Sequence, residues 1–462
     1  MRDLSSIVKA YDVRGVVPDD LDEDVARALG AAFVRVTDAR TIVTAYDMRP
    51  SSPGLAAAFA AGATGQGADV VEAGLGSTDL LYFASGQLGL PGAMFTASHN
   101  PARYNGVKLC RAGAAPVGQD TGLADIRAMA EAALNGPDGA GLPAYDGPPG
   151  TVSQRDLLTE YARYLRGLVD LSGIRRLTVV VDAGNGMGGY TVPAVLGDAV
   201  LAALPLDIVP LYFELDGTFP NHEANPLDPA NIVDLRAAVR EHGADLGLAF
   251  DGDADRCFVV DEHGDPVSPS AITALVATRE LAKEPGGTII HNLITSSAVP
   301  EIVVEHGGKP IRTRVGHSFI KERMAETGAI FGGEHSAHYY FRDFWRADTG
   351  MLAALHVLAA VGEQDGPLSA LTSELVRYIA SGEINSRVGD QTGRLAAVEV
   401  AFAVRDGARV DHLDGLTVRL PDGSWFNLRP SNTEPLLRLN VEGPDEGAMA
   451  SLRDEVLAVV RA

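Results

Sequence analysis

The sequence predicts an α/β protein made of three similar α/β domains followed by a smaller α+β domain. Three observations carry that expectation. Short Val- and Ile-rich runs alternate with helix-like stretches along most of the chain. The 462 residues exceed what one ordinary core serves. The final stretch changes style, to hairpin-like strands and one closing helix. Buried strands alternating with helices read as sheets with parallel pairing.

The first helical pattern is Val25, Leu29, Ala32, Phe33 and Val36, behind Asp22, Glu23 and Asp24, whose carboxylates suit a helix N-terminus. The strand-to-helix scheme then repeats. "TIVTAYDMRPSS" (41–52) leads into "PGLAAAFAAGA", and "LTVVVDAGNGMGG" (177–189) leads into "YTVPAVL". "GTIIHNLITSSAVPEIVVEHG" (287–307) is a third instance. Two stretches read as boundaries: the aperiodic Gly/Pro run "LNGPDGAGLPAYDGPPG" (134–150) and "GEQDGPLSALTSEL" (362–375). Near the end, "AAVEVAFAVRDG", "LTVRLPDGSWFNLRP" and "PLLRLNVEG" read as strands, before a helix from about Glu446. The resulting domains are 1–148, 149–256, 257–366 and 367–462.

Composition narrows the function. An apolar fraction of 46% and a charged fraction of 21% describe a soluble globular chain. With 61 acidic against 38 basic residues the net charge is −23, which argues against nucleic-acid and membrane partners. An anionic substrate must therefore meet a local cluster of Arg and Lys. "MRDLSS" has no apolar signal segment, and no run reaches the length of a membrane span. Cys110 and Cys257 fit neither zinc nor redox spacing, so a reducing cytoplasm is expected.

Six stretches carry possible chemistry. "TASHNP" (96–101) sets Ser98 beside His99 in a loop bent by Asn100-Pro101; without the G-x-S-x-G elbow it reads first as a turn. "ADLGLAFDGDADRCFVVD" (244–261) runs an apolar strand into Asp251, Asp253 and Asp255, which share a face if the backbone stays extended. Three hard oxygen donors suit Mg²⁺; the EF-hand alternative fails because its glycine position is Arg256. Gly184, Gly186 and Gly189 match G-x-G-x-x-G, as a weak dinucleotide signal or a tight turn. In "RPSNTEP" (429–435), Arg429 forks onto phosphate oxygens while Ser431, Asn432 and Thr433 add donors. In "GGEHSAHYYF" (332–341), Glu334, Ser336 and His338 alternate along one side of a pocket, and His335 with His338 lacks a third zinc ligand. His317 in "RVGHSFIK" is a base or a core histidine.

"KAYDVRG" (9–15), "TASHNP", "YNGVK" (104–108), "FDGDADR", "VGHS", "GEHSAH" and "RPSNTEP" together, in this order and spacing, resemble the α-D-phosphohexomutases over almost the whole chain. The resemblance implies four domains around a central cleft, each giving one loop. It implies that Ser98 is a phosphoserine and that Asp251, Asp253, Asp255 and Ser98 bind Mg²⁺. Three carboxylates and a phosphate total roughly −5 against +2 from the metal, so Arg256 and Lys108 supply the extra cations. His99, Lys108, Arg256, His317 and Arg14 are the implied catalytic set. The implied substrate-binding residues are Tyr11, Gly316, His317, Glu334, Ser336, His338, Arg429, Ser431, Asn432 and Thr433. The implied reaction moves a phosphoryl group between C6 and C1 of mannose and glucose phosphates through a hexose 1,6-bisphosphate, which also serves as activator. The expected assembly is a monomer or homodimer. Asn432, where the glucosamine-phosphate branch has Gly, favours a hexose. One departure is "HNLITSS" (291–297), which lacks the substrate-contacting lysine of many relatives. The alternatives are a phosphoglucosamine mutase, a dedicated phosphoglucomutase or, more remotely, a nicotinamide-dependent oxidoreductase.

Overall fold

The computed structural model describes residues 2–136, 145–431 and 436–462. The middle of the Gly/Pro run at 134–150 and part of "RPSNTEP" lie outside the described residues. Two compact units are formed. One holds Met1–Val267 and Ser336–Ser369, the other Ser268–His335 and Ala370–Ala462.

In the first unit, strand Thr41–Tyr46 pairs in parallel with Asp69–Leu75 and with Gly92–Phe95. The intervening helices bury apolar faces against the sheet. Helix Glu23–Thr37 starts where the acidic run predicts, with Asp22 accepting a hydrogen bond from the Val25 amide. Val25, Leu29, Ala32 and Phe33 are buried and Val36 packs at the edge of the same cluster. Val152–Gln154 adds a further parallel strand beside Asp69–Leu75. A second sheet is centred on Leu246–Phe250 and Leu177–Asp182, again parallel.

The sheets are nevertheless mixed, which corrects the parallel reading. Tyr104–Arg111 runs antiparallel to Gly92–Phe95, and Cys257–Val260 antiparallel to Leu246–Phe250. A parallel return needs a crossover of a dozen residues or so, and the loops at 96–103 and 251–256 are too short for one. These two tight connections are the ones that carry "TASHNP" and "DGDADR".

In the second unit, Thr288–Asn292 lies between Lys309–Thr313 and Phe331–Gly333, all parallel. The C-terminal sheet is wholly antiparallel, in the order Ile379–Arg387, Leu436–Gly443, Trp425–Pro430, Leu416–Arg419, Arg409–Asp411. The closing helix is Glu446–Val460. "AAVEVAFAVRDG" is not a strand: it belongs to the helix Gln391–Ala403, whose N-cap Asp390 accepts from the Gly393 amide. Its apolar alternation contains two interleaved i,i+4 pairs. Val398 and Phe402 are buried on the sheet, whereas Val400 and Val404 are 71% and 80% exposed. Among the described residues no helix is long and apolar enough to cross a membrane.

Candidate active site

Ser98 sits in the first unit at the end of strand Gly92–Phe95, in the left-handed region with φ 50°. Arg49 holds it there. Its guanidinium donates to the carbonyls of Ser98 (2.9 Å), Asn100 (2.6 Å), Pro101 (2.9 Å) and Tyr104 (2.9 Å). The Arg49 side chain is fully buried beside Asp47. On the other side, a Cβ on Gly252 would lie 2.4 Å from the Ser98 carbonyl oxygen, so only glycine lets the two loops meet.

The Ser98 hydroxyl donates to Asp251 Oδ2 at 2.7 Å and receives Arg256 Nη2 at 3.3 Å. Residues 251–256 turn rather than extend, with Ala254 at φ 59°. The three aspartates converge through that turn, not through strand alternation. One carboxylate oxygen from each of Asp251, Asp253 and Asp255 lies within 4.8 Å of the others. Lys108 reaches in from strand Tyr104–Arg111 to Asp253 (2.7 Å) and Asp255 (2.6 Å). Arg256 pairs with Asp251 at 2.7 Å.

Burial pushes Asp251 above the ordinary carboxylate range, Arg256 partly opposing it. Burial acts the same way on Asp253, but Lys108 and the Thr78 hydroxyl more than reverse it, leaving that group lowered. The Arg256 charge, then burial, holds the His99 imidazole well below its usual value, so His99 is neutral. Asp253 Oδ1 and Asp255 Oδ1 are buried with no hydrogen-bond partner among the described residues. Such orphaned hard oxygens in a three-carboxylate set fit a divalent cation.

Residues that sequence reasoning missed complete the surroundings. Thr78 grips Asp253 twice, its hydroxyl on Oδ2 (2.6 Å) and its amide on the carbonyl (3.0 Å). Asp79 is buried and accepts from Tyr161 (2.7 Å), Thr349 (2.6 Å) and Ser77. Asp348 joins Asp255 and His338 in a second group with metal-ligand spacing.

Residues 5–135 match phosphoglucomutase/phosphomannomutase, alpha/beta/alpha domain I; 159–264 match domain II, 268–378 domain III, and 383–459 the C-terminal domain. A phosphomannomutase of Escherichia coli is 40% identical over 458 residues, 98% of each chain. The chain belongs to the phosphoglucomutase/phosphomannomutase family. A chain described as phosphohexose mutases from Xanthomonas campestris is 40% identical over 97% of this chain and 98% of its own. Among solved structures, a phosphoglucomutase/phosphomannomutase family protein from Burkholderia thailandensis superposes with a TM-score of 0.86. It is 32% identical, covering 99% of this chain and 97% of that one.

In this phosphoglucomutase/phosphomannomutase family member the remaining predicted residues divide between the two units. In the first, Arg14 donates to Asn100 Oδ1 (2.6 Å) beside the Ser98 loop, and Tyr11 precedes the same strand, Asp12–Val16. Ser336 contacts His338 Nδ1 (3.0 Å), and His338 approaches Asp255 at 3.8 Å. In the second, Glu334 accepts from Asn292 Nδ2 (3.0 Å) and the Gly316 amide (3.2 Å), and His317 opens the helix His317–Thr327. Between Ser336 and His338 the backbone turns through Ala337, which is left-handed at φ 64°. His335 goes instead to Ser270 (3.0 Å), which ends the zinc-pair reading. Arg429 Nη2 pairs with Glu383 at 2.8 Å, while its Nη1 is buried without a hydrogen-bond partner among the described residues. The Ser431 amide bonds the Leu436 carbonyl, and Asn432 and Thr433 lie outside the described residues. The glycine pattern has a packing explanation: a Cβ on Gly186 would meet the Gly252 carbonyl at 2.7 Å, and one on Gly189 the Phe213 carbonyl at 2.2 Å.

Proposed function

We infer that the chain is a hexose-phosphate mutase that passes a phosphoryl group through Ser98. The observation that carries the reading is the hydroxyl of Ser98 held between Asp251 and Arg256, beside a carboxylate trio. In the proposed cycle, a phosphate ester on Ser98 is attacked by the free hydroxyl of a hexose phosphate. The bond from phosphorus to Ser98 Oγ breaks, a bond to the sugar oxygen forms, and the hydroxyl proton passes to a base. The product is a 1,6-bisphosphate. After it turns over, its other phosphate returns to Ser98 and the isomeric hexose phosphate leaves.

Asp251, Asp253 and Asp255 would hold magnesium, which when bound supplies positive charge to the transferring phosphoryl oxygens. Arg256 and Lys108 add fixed cations in a water-poor setting, where they act without reorganising. His99, neutral and next to Arg256, and Arg14, tied to Asn100, orient the loop and the incoming hydroxyl. Tyr11, Gly316, His317, Glu334, Ser336 and His338 are assigned to the sugar. Arg429, with its unpartnered Nη1, and Ser431, Asn432 and Thr433 are assigned to the far phosphate. The segments 1–148, 149–256, 257–366 and 367–462 are the proposed division of labour, supported by the four family matches.

Mannose and glucose differ at C2, so a site that reads other hydroxyls accepts both sugars. Peptide mass analysis of purified protein tests the central claim. A phosphate on Ser98, lost on incubation with hexose phosphate and restored by hexose 1,6-bisphosphate, is expected. Ser98→Ala should turn over at least about a thousandfold more slowly while staying folded; near-normal turnover removes the assignment. Coupled assays on mannose, glucose and glucosamine 1-phosphates set the specificity. A ratio of catalytic efficiencies for the two hexoses above about a thousandfold, roughly 4 kcal/mol, ends the dual-sugar reading.

A further inference from the structure

The second unit contains a cleft of about 500 Å³ apart from the Ser98 site. It lies among the strand Lys309–Thr313, the first turn of helix Ala298–Glu305, and the strands Arg409–Asp411 and Leu416–Arg419. Three guanidinium groups line it, from Arg312, Arg409 and Arg419. Arg409 and Arg419 stand directly opposite each other on paired antiparallel strands. Like charges in that position repel.

Asp411 and Glu301 also line the cleft, and both carboxylates are engaged with other partners. Asp411 pairs with Arg312 at 2.6 Å. Glu301 pairs with Arg377 (3.2 Å) and accepts from the Tyr378 hydroxyl (2.7 Å). Glu442 is buried behind, accepting from Trp425 Nε1 and the Ser297 amide. Among the described residues, no carboxylate lies within ion-pair distance of Arg409 or Arg419. Arg419 makes only a long contact with the Ser297 hydroxyl (3.4 Å) and sits 5.6 Å over the Trp425 ring.

His291, 5% exposed, lines the same cleft. Its Nδ1 lies 3.1 Å from the Asn292 carbonyl. A carbonyl only accepts, so Nδ1 bears the proton and Nε2 is left as an acceptor. The cleft is distinct from the sugar loop. His291 and Asn292 are consecutive in a strand and face opposite ways, and Asn292 is the one that reaches Glu334. It is distinct from the Arg429 loop as well, since Arg419 pairs with Trp425 at the far end of that hairpin.

We propose that this cleft binds a hydroxyl-bearing phosphate ester, the phosphate between Arg409 and Arg419 and a hydroxyl donated to His291. Unpaired guanidiniums match phosphate oxygens in a forked geometry, and the volume falls in the roughly 300–1,000 Å³ of small-molecule sites. A sugar phosphate and a nucleotide share this chemistry.

The test is calorimetric titration of the full chain with ribose 5-phosphate, AMP and inorganic phosphate, in the wild type and in R429Q, R409Q/R419Q and H291F. At least one ester should occupy a site that survives R429Q and weakens about tenfold or more in R409Q/R419Q. Inorganic phosphate should bind that site at least about tenfold more weakly than the ester, and H291F should erase the difference. Which ester binds separates sugar phosphate from nucleotide. R409Q and R419Q alone guard against misfolding of the double variant, and each should weaken binding by itself. Wild-type affinity in R409Q/R419Q, no ester site that survives R429Q, or equal binding of inorganic phosphate overturns the proposal.

Discussion

The Ser98 hydroxyl donates to Asp251 Oδ2 across 2.7 Å, although 153 positions separate the two residues. Two tight turns from different sheets meet at this bond. Their approach depends on the missing side chain of Gly252, and the position of Ser98 depends on a buried arginine that touches no carboxylate of the trio.

Gly252→Ala should therefore injure catalysis more than folding. The added carbon, 2.4 Å from the Ser98 carbonyl, must move the loop. A displacement of that kind near a reacting atom costs about a hundredfold in rate. Steady-state turnover alongside circular dichroism checks it; a rate within about threefold of wild type means the contact is relieved without moving Ser98.

Arg49→Met should unfold the Ser98 loop's support. The variant leaves Asp47 buried without its cation and four loop carbonyls without their donor. Breaking a buried pair on one side costs about 3–5 kcal/mol. Urea unfolding reads the loss, and Arg49→Lys should recover only part of it, because a point charge cannot replace the planar fork.

Magnesium should stabilise the protein thermally, independent of any turnover. At about a hundred times its dissociation constant a ligand bound only by the folded state contributes about 2.7 kcal/mol. After chelation the melting midpoint should fall, rise again with added Mg²⁺, and stop responding in Asp253→Asn and Asp255→Asn. An unchanged midpoint in the parent protein would argue that the orphaned oxygens serve another purpose.

Asp79 sets a pH dependence of the opposite sign to ordinary acid unfolding. Burial raises it from 3.8 to about 6, against the hydrogen bonds from Ser77, Thr349 and Tyr161. The folded state keeps a proton that the unfolded chain releases between those values. The cost is absent below about pH 4, grows as pH rises, and is complete above about pH 6, reaching at most about 3 kcal/mol. Asp79→Asn should flatten stability between pH 4 and 6 relative to wild type. An identical slope means that Asp79 titrates alike in both states.

Much of the site was legible because its parts are contiguous in sequence. "TASHNP" and "FDGDADR" each place several donors within one turn, and the ordered set of motifs pointed to one family. Arg49, Thr78 and Asp79 were not legible, since each acts through atoms distant in the chain. Arg49 binds backbone carbonyls, which leave no trace in residue type. Thr78 and Asp79 sit in a helix start that reads as an ordinary cap, with Ser77 accepting from the Leu80 amide. The helix at Gln391–Ala403 was misread for a related reason: its letters satisfy two periods, and only burial of Val398 and Phe402 chooses between them.

Hydrophobic periodicity and short-range donor spacing are local properties, so the amino-acid order alone determined the α/β class, most elements, and the serine and aspartate loops. Strand direction, the face each side chain takes and the ionisation of Asp79 and Asp251 came only with the folded chain. These depend on which groups lose water and which charges are brought close, and both are settled by packing between segments far apart in sequence.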